Sequence, residues 1–185
     1  SAPTYLSAPP PPTGALKQSR IRCADFDGDG LVDIVRYANV SDPIILYRQT
    51  SPFIFATGAE VPLPPGAPFV VKDVVAADLD SDGVPELMVA GDRGVASLRF
   101  VGGVWIPHAP EIPGAADMVL PFDADGDGDV DLFIGDNVTN GFTCNHRFAY
   151  NLGGSDFATP PGPLGALEYG AWAFVGLNGT TPEGP

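Results

Sequence analysis

Three short acidic loops in one register constrain this chain more than any other feature. The third reads Asp123-Ala124-Asp125-Gly126-Asp127-Gly128-Asp129-Val130-Asp131, with carboxylates at positions 1, 3, 5 and 9 and glycine at position 6. The first sets Asp25, Asp27, Asp29 and Asp33 around Gly30, and the second sets Asp78, Asp80, Asp82 and Glu86 around Gly83. Four carboxylates this close repel one another in a bare turn, and a hard cation removes the repulsion. Calcium accepts about six to eight oxygens at roughly 2.3–2.6 Å, and a Gly-kinked loop with alternating acids wraps one ion. Position 7 would lend a backbone carbonyl, from Leu31, Val84 or Asp129, and the acid at position 9 would close the shell directly or through water. The plain alternative is three solvated acidic turns. One such motif is common; three copies, each with an acid at position 9, argue for three calcium sites.

The flanks of the loops are short apolar runs that read as strands. An EF-hand would need a Glu at position 12 and flanking helices. Position 12 here is Arg36, Val89 and Ile134. Ile21 to Ala24 leads into the first loop and Leu31 to Val35 leaves it. Pro43 to Arg48 is expected as a third strand and Phe53 to Phe55 as a fourth. The second unit repeats the plan with Val70 to Ala77, Glu86 to Ala90, Val95 to Phe100 and Val104 to Ile106. The third runs through Ala116 to Phe122, Asp131 to Gly135 and Arg147 to Asn151. Asp25, Asp78 and Asp123 stand 53 and 45 residues apart, close to the period of four-stranded propeller blades. The expected organisation is a Pro-rich extension over 1–20, repeats over 21–68, 69–114 and 115–164, and a C-terminal segment over 165–185. Within that segment Ala173 to Glu183 reads as a degraded fourth first strand and loop, without the acids to hold an ion.

Charge sharpens the picture. The net charge is −14, and thirteen of the 23 acids lie in the three loops when Asp129 is counted. The remaining ten acids nearly balance the nine Lys and Arg, so the acidity is a set of local sites on a near-neutral surface. Nothing here is a basic nucleic-acid footprint. The 44% hydrophobic content is enough for a core, and 23 Gly with 21 Pro favour short strands and turns over helices. No run of 18 apolar residues exists, so no membrane insertion is expected.

The chain starts at Ser1 without an initiator methionine, which suggests a processed N-terminus or a removed signal. The Pro9 to Pro12 run favours polyproline II; the segment is read either as a disordered linker or, as expected here, as a tail held in place. Cys23 and Cys144 are too few for a disulfide framework; one bridge and two free thiols are both open. Asn39, Asn137 and Asn178 begin N-x-Ser/Thr sequons, and together with calcium-type loops they lean toward an extracellular or cell-surface location.

The segments DFDGDGLVDIV, DLDSDGVPELMV and DADGDGDVDLFI, with YRQ and YNLGG after the third strands, resemble the FG-GAP or VCBS repeat of integrin-α-type β-propellers. The resemblance covers roughly residues 20–160. It implies an all-β fold of propeller-like blades, with one calcium ion per loop between the first two strands of each blade. Closed propellers of this type have about seven blades, and three cannot close a ring. An open row exposes strand edges and apolar blade faces. Three arrangements resolve this: a fragment of a larger integrin-like propeller, pairing with copies of the chain, or an irregular open domain covered by its tails.

Three functions follow. The first is a non-enzymatic structural or adhesion module that binds copies of itself or other extracellular proteins, in its polymeric form the subunit of a fibre. The second is a glycan-binding lectin, with Trp105, Trp172, Tyr47 and Tyr150 as candidate platforms, although core packing explains each better. The third is an enzyme, and the sequence argues against it. His108 and His146 are the only histidines, neither HExxH nor GxSxG occurs, and the clustered acids are expected to be occupied. His108 is expected to be an ordinary surface residue.

Overall fold

The computed structural model describes residues 19–38, 42–63, 69–109, 111–136 and 146–159. Every regular element among them is a β-strand. In the first sheet β1 (Ser19–Ala24), β2 (Asp33–Ala38) and β3 (Ile44–Tyr47) run antiparallel. Next come β4 (Gln49–Ser51) and β5 (Ile54–Phe55), a side hairpin, and then β6 (Ala59–Val61), which pairs with β3. The second sheet is a meander of β7 (Val71–Ala77), β8 (Glu86–Gly91), β9 (Gly94–Val101) and β10 (Val104–Pro107). A short β11 (Ile112–Pro113) extends its outer edge by pairing with the start of β9. The third meander is β12 (Met118–Phe122), β13 (Asp131–Gly135), β14 (Arg147–Asn151) and β15 (Phe157–Ala158). These are propeller-like blades, and among the described residues they do not close a ring.

Each acid loop joins the first two strands of its blade. Its tight reversal needs a left-handed residue at position 6, where Gly30, Gly83 and Gly128 have φ of 84°, 89° and 97°. An added Cβ would meet nothing within 4 Å at any of the three. Glycine is therefore required by backbone conformation and not by space.

The middle blade explains why its sequence is so apolar. Every residue of β8 is buried, because the strand has a blade on each side. Leu87 and Val89 join a core with Val35, Tyr37, Leu46 and Trp105. Met88 and Ala90, on the opposite face, join Val119, Leu132, Ile134 and Ala149. A strand covered on both faces loses the polar alternation of a half-exposed one. Pro121 is accommodated because β12 has a paired neighbour on one side only.

The first strands of the blades lie together, with β7 between β1 and β12. Asp73 of β7 ties them. Its carboxylate accepts from the Tyr37 hydroxyl at 2.9 Å, the Arg22 guanidinium at 3.2 Å, and the N–H groups of Val74 and Val119 at 2.9 and 3.3 Å. Burial first, and then the Asp73 charge, raise the pKa of Tyr37.

One expected strand takes a different place. Phe53 to Phe55 does not supply the fourth strand of the first blade. Ile54 and Phe55 pair only with β4, while Phe53 is 85% exposed at the hairpin tip with φ of 65°. The fourth position goes to Ala59–Val61, whose Val61 is buried against Ile44 and Leu46. An apolar run is no guide to sheet membership when it has no apolar face to meet. The Pro-rich start, the 173–183 segment, Asn39, Asn137, Asn178, Cys144 and Trp172 lie outside the described residues.

Candidate metal centres

The three loops fold alike. In each, the acids at positions 1, 3 and 5 offer oxygens that all lie within 4.8 Å of one another: Asp25, Asp27 and Asp29; Asp78, Asp80 and Asp82; Asp123, Asp125 and Asp127. Backbone N–H groups hold the position 1 carboxylates. Asp25 accepts from Asp29 at 3.1 Å and Gly30 at 2.8 Å, and Asp78 accepts from Asp82 and Gly83 at the same distances. Asp123 accepts from Gly126 at 2.7 Å and Gly128 at 3.2 Å. Such bonds restrain the carboxylates but leave each three-acid cluster with its like charge.

The acids at position 9 sit deeper. Asp33, Glu86 and Asp131 are all fully buried. Each accepts the N–H of loop position 2, from Phe26 at 3.1 Å, Leu79 at 2.9 Å and Ala124 at 2.8 Å. Asp33 and Asp131 use the second oxygen to accept from the third strand side, from Gln49 at 2.8 Å and Asn151 at 2.7 Å. This acid is thus a clasp between the loop and the blade. Burial, then the charges of Asp27 and Asp29, raise the pKa of Asp33 against the lowering effect of its two N–H partners.

The donor set suits a hard divalent ion. The acids at positions 1, 3 and 5 offer only oxygen, which matches calcium or magnesium, and only at the second loop does a nitrogen ligand, from His108, group with Asp80 and Glu86. In the second loop Asp80 Oδ1 is buried and makes no hydrogen bond. Asp125 in the third loop has a raised pKa, from desolvation within the loop and then the charges of Asp127, Asp131 and Asp123. Asp80 Oδ1 thus keeps acceptor capacity to spare, and Asp125 sits among like charges without a counter-charge. When bound, the ion would supply that charge and crosslink positions 1, 3 and 5.

Arginines enter two of the three sites. Arg48 follows β3, and its Nε and Nη2 lie 2.7 and 2.5 Å from Asp27 Oδ2. Arg99 in β9 reaches Asp82 and Glu86, each at 2.9 Å, and pairs closely with Asp80. Burial pulls the Arg99 pKa down, but the bonds and charge of Glu86, and then Asp80, outweigh it and raise the pKa. The equivalent place in the third blade holds Tyr150, one residue before Asn151 as Arg48 is one before Gln49. Among the described residues no Lys or Arg forms an ion pair with the acids of the third loop.

His108 is not the ordinary surface residue its sequence context suggests. Its side chain is 12% exposed, and Nε2 lies 2.7 Å from Ser155 Oγ, 3.8 Å from Asp80 and 3.9 Å from Glu86. No local motif could have revealed this, since the partners come from other loops and from the third blade. The arrangement is not a hydrolytic triad. There the acid must hold the ring nitrogen remote from serine, whereas here serine and both acids face Nε2.

The other candidates separate as follows. Trp105 is a core residue against Phe26 and Phe100, with ring centroids 5.5 and 5.1 Å away. Tyr150 stacks on Phe148 at 5.8 Å. Tyr47 is half-buried on the outer side of the first blade. His146 is buried beside Phe133. Cys23 is a free, exposed cysteine.

Residues 25–89 match the family model described as the FG-GAP-like repeat. The match runs from the first acid loop through most of β8. No match was found to a curated protein or to a solved structure.

Proposed function

We propose that this chain, which carries an FG-GAP-like repeat, is a non-enzymatic, calcium-stabilised extracellular structural or adhesion module that assembles with copies of itself. The observation that carries this reading is the stacking rule of the blades. Val35 and Tyr37 of the first blade face Leu87 and Val89 of the second. Met88 and Ala90 of the second face Leu132 and Ile134 of the third. Counted from the acid at position 9, residues two and four onward always meet residues one and three onward of the next blade.

Among the described residues no further blade covers either end of the row. The third blade presents Leu120, Phe133 and Phe148 in cross-strand register, with Phe122 and Tyr150 beside them. The Phe133, Phe122 and Tyr150 rings lie 5.4, 6.1 and 5.8 Å from Phe148. The first blade presents Ile34, Ile45, Tyr47 and the 57% exposed Ile21. Half-exposed apolar rows of this kind, with Arg36 set between Ile21 and Ile45 on the first blade, are the surfaces a partner would cover, and two unlike faces on one chain would make a head-to-tail contact that closes into a ring or runs into a filament. Calcium in the loops would hold each blade rigid enough to repeat the contact, and weak calcium sites suit extracellular ion levels.

Electron microscopy and sizing in calcium, with a chelated control, test this reading. Rings or filaments are expected in calcium. Ile34→Glu and Phe133→Glu should each abolish them, while an equimolar mixture should form only pairs, because each variant keeps one intact face. Monomers at high concentration in calcium would overturn self-assembly.

A glycan-binding reading has one specific support. A cleft of about 590 Å³ opens between the first two blades, lined by Leu46, Arg48, Glu60, Phe100 and Trp105 among others. Aromatic walls with a few charged groups suit sugars. A flat response on a glycan array in calcium would remove it.

A further inference from the structure

We infer that Arg48 and Arg99 are tethered competitors for calcium, so that the three loops bind the ion in a built-in order: third, then first, then second. The inference rests on the calcium reading of the loops. Its evidence is the unequal supply of positive charge to three otherwise matching sites.

The second loop is the most heavily engaged. The Arg99 guanidinium bonds carboxylates at positions 3, 5 and 9, which are three of the four acids expected to hold the ion. Its side chain is 23% exposed, so water screens these contacts less than at an open surface. In the first loop Arg48 engages position 3 alone, through Asp27 Oδ2. Its guanidinium also lies 5.7 Å from the Phe100 ring of the neighbouring blade. The third loop has Tyr150 at this place and a fifth acid, Asp129, at position 7.

Each arginine acts on binding in two ways. It neutralises part of the charge that attracts the ion, and its N–H groups hold oxygens that the ion needs. Calcium must displace those bonds or share the oxygens, and either route weakens binding. Affinity in oxygen-ligand loops is set by ligand charge and site rigidity. The arginine also neutralises the site when no ion is present, so the first two blades tolerate low calcium while the third does not. A chain built this way responds to calcium in steps.

Calorimetric calcium titration of the full chain tests this, with melting curves as a second readout. The wild type should show three sites of distinct affinity. Arg99→Gln should tighten the weakest site about tenfold, Arg48→Gln should tighten the middle one by less, and Tyr150→Arg should weaken the tightest about tenfold. Arg99→Gln leaves Glu86 buried without its cation. Should that variant not fold without calcium, Arg48→Gln and Tyr150→Arg still decide the matter. Weaker binding in Arg48→Gln or Arg99→Gln would overturn the competitor role and make the arginines supporting groups. Three equal wild-type sites would overturn the order while leaving calcium binding intact. No calcium uptake by the wild type would overturn both.

Discussion

The second and third acid loops share a motif, a glycine at position 6 and a buried acid at position 9, yet they stand in different electrostatic states. In the second, Arg99 bonds Asp80, Asp82 and Glu86. In the third, Asp123, Asp125 and Asp127 face solvent, Asp129 is half-exposed and Asp131 is buried beneath them; none has such a partner among the described residues, and Asp125 holds its proton more tightly than an ordinary aspartate. A motif therefore specifies where a cation is wanted but not whether the protein supplies one itself. The second loop is an internally ion-paired turn, whereas the third has no internal cation among the described residues.

Four measurements break or sharpen this comparison. The largest effect should come from chelation. An ion that binds only the folded state adds about 2.7 kcal/mol per site at a hundredfold excess over its dissociation constant. Loss of the ions should lower the melting temperature by more than about 10 °C, with calcium restoring it and magnesium barely doing so. Equal melting curves with and without chelator would contradict the calcium assignment. Hydrogen exchange under chelation should show the third blade opening before the second.

Next is the clasp. Asp131→Ala removes the acceptor for the part-buried N–H of Ala124 and the buried N–H of Asn151. Leaving two such donors without partners costs roughly 2–4 kcal/mol. The loss should appear in denaturant melts in calcium, and a change below about 1 kcal/mol would show that water or the ion satisfies those groups.

Substitution at position 3 should then separate the loops by sign in the calcium-free protein. Asp80→Asn removes an arginine partner and should lower stability by about 1 kcal/mol. Asp125→Asn removes only repulsion and should raise the melting temperature slightly. Effects of the same sign would contradict the contrast between the loops.

The smallest effect is a pH trend. Asp33 and Asp125 have folded pKa values above the ordinary 3.8. A carboxyl raised in this way binds protons better when folded. Its contribution to stability is full below the unfolded value and is lost as pH rises through the folded value. Calcium-free protein should therefore gain from these two groups as pH falls from neutral toward about 4. Calcium-loaded protein should show the reverse over that range, as protons displace the ion. A falling melting temperature in both samples would remove these two groups as the source.

Much of the fold was legible because its signals are local. The loop motif with its glycine, the apolar runs on either side and the spacing of Asp25, Asp78 and Asp123 place the first three strands of every blade. The misplaced fourth strand of the first blade shows the boundary of such reading: Phe53 to Phe55 is apolar and Ala59–Val61 is mixed, yet only the latter has a sheet edge to join. His108 and Asp73 were illegible for a related reason. Their partners lie in other blades, at sequence distances that no local pattern spans.

The sequence by itself determined that this chain has three matched carboxylate loops between β-strands, because acid spacing and a left-handed glycine are properties of a few consecutive residues. Only the tertiary structure decided which loops carry their own cation. That depends on strand pairing, which brings Arg48 and Arg99 across the sheet to acids 21 and 19 residues away and sets Tyr150 in the same place on the third blade. Charge compensation is a matter of distance in space, and the chain acquires that distance only by folding.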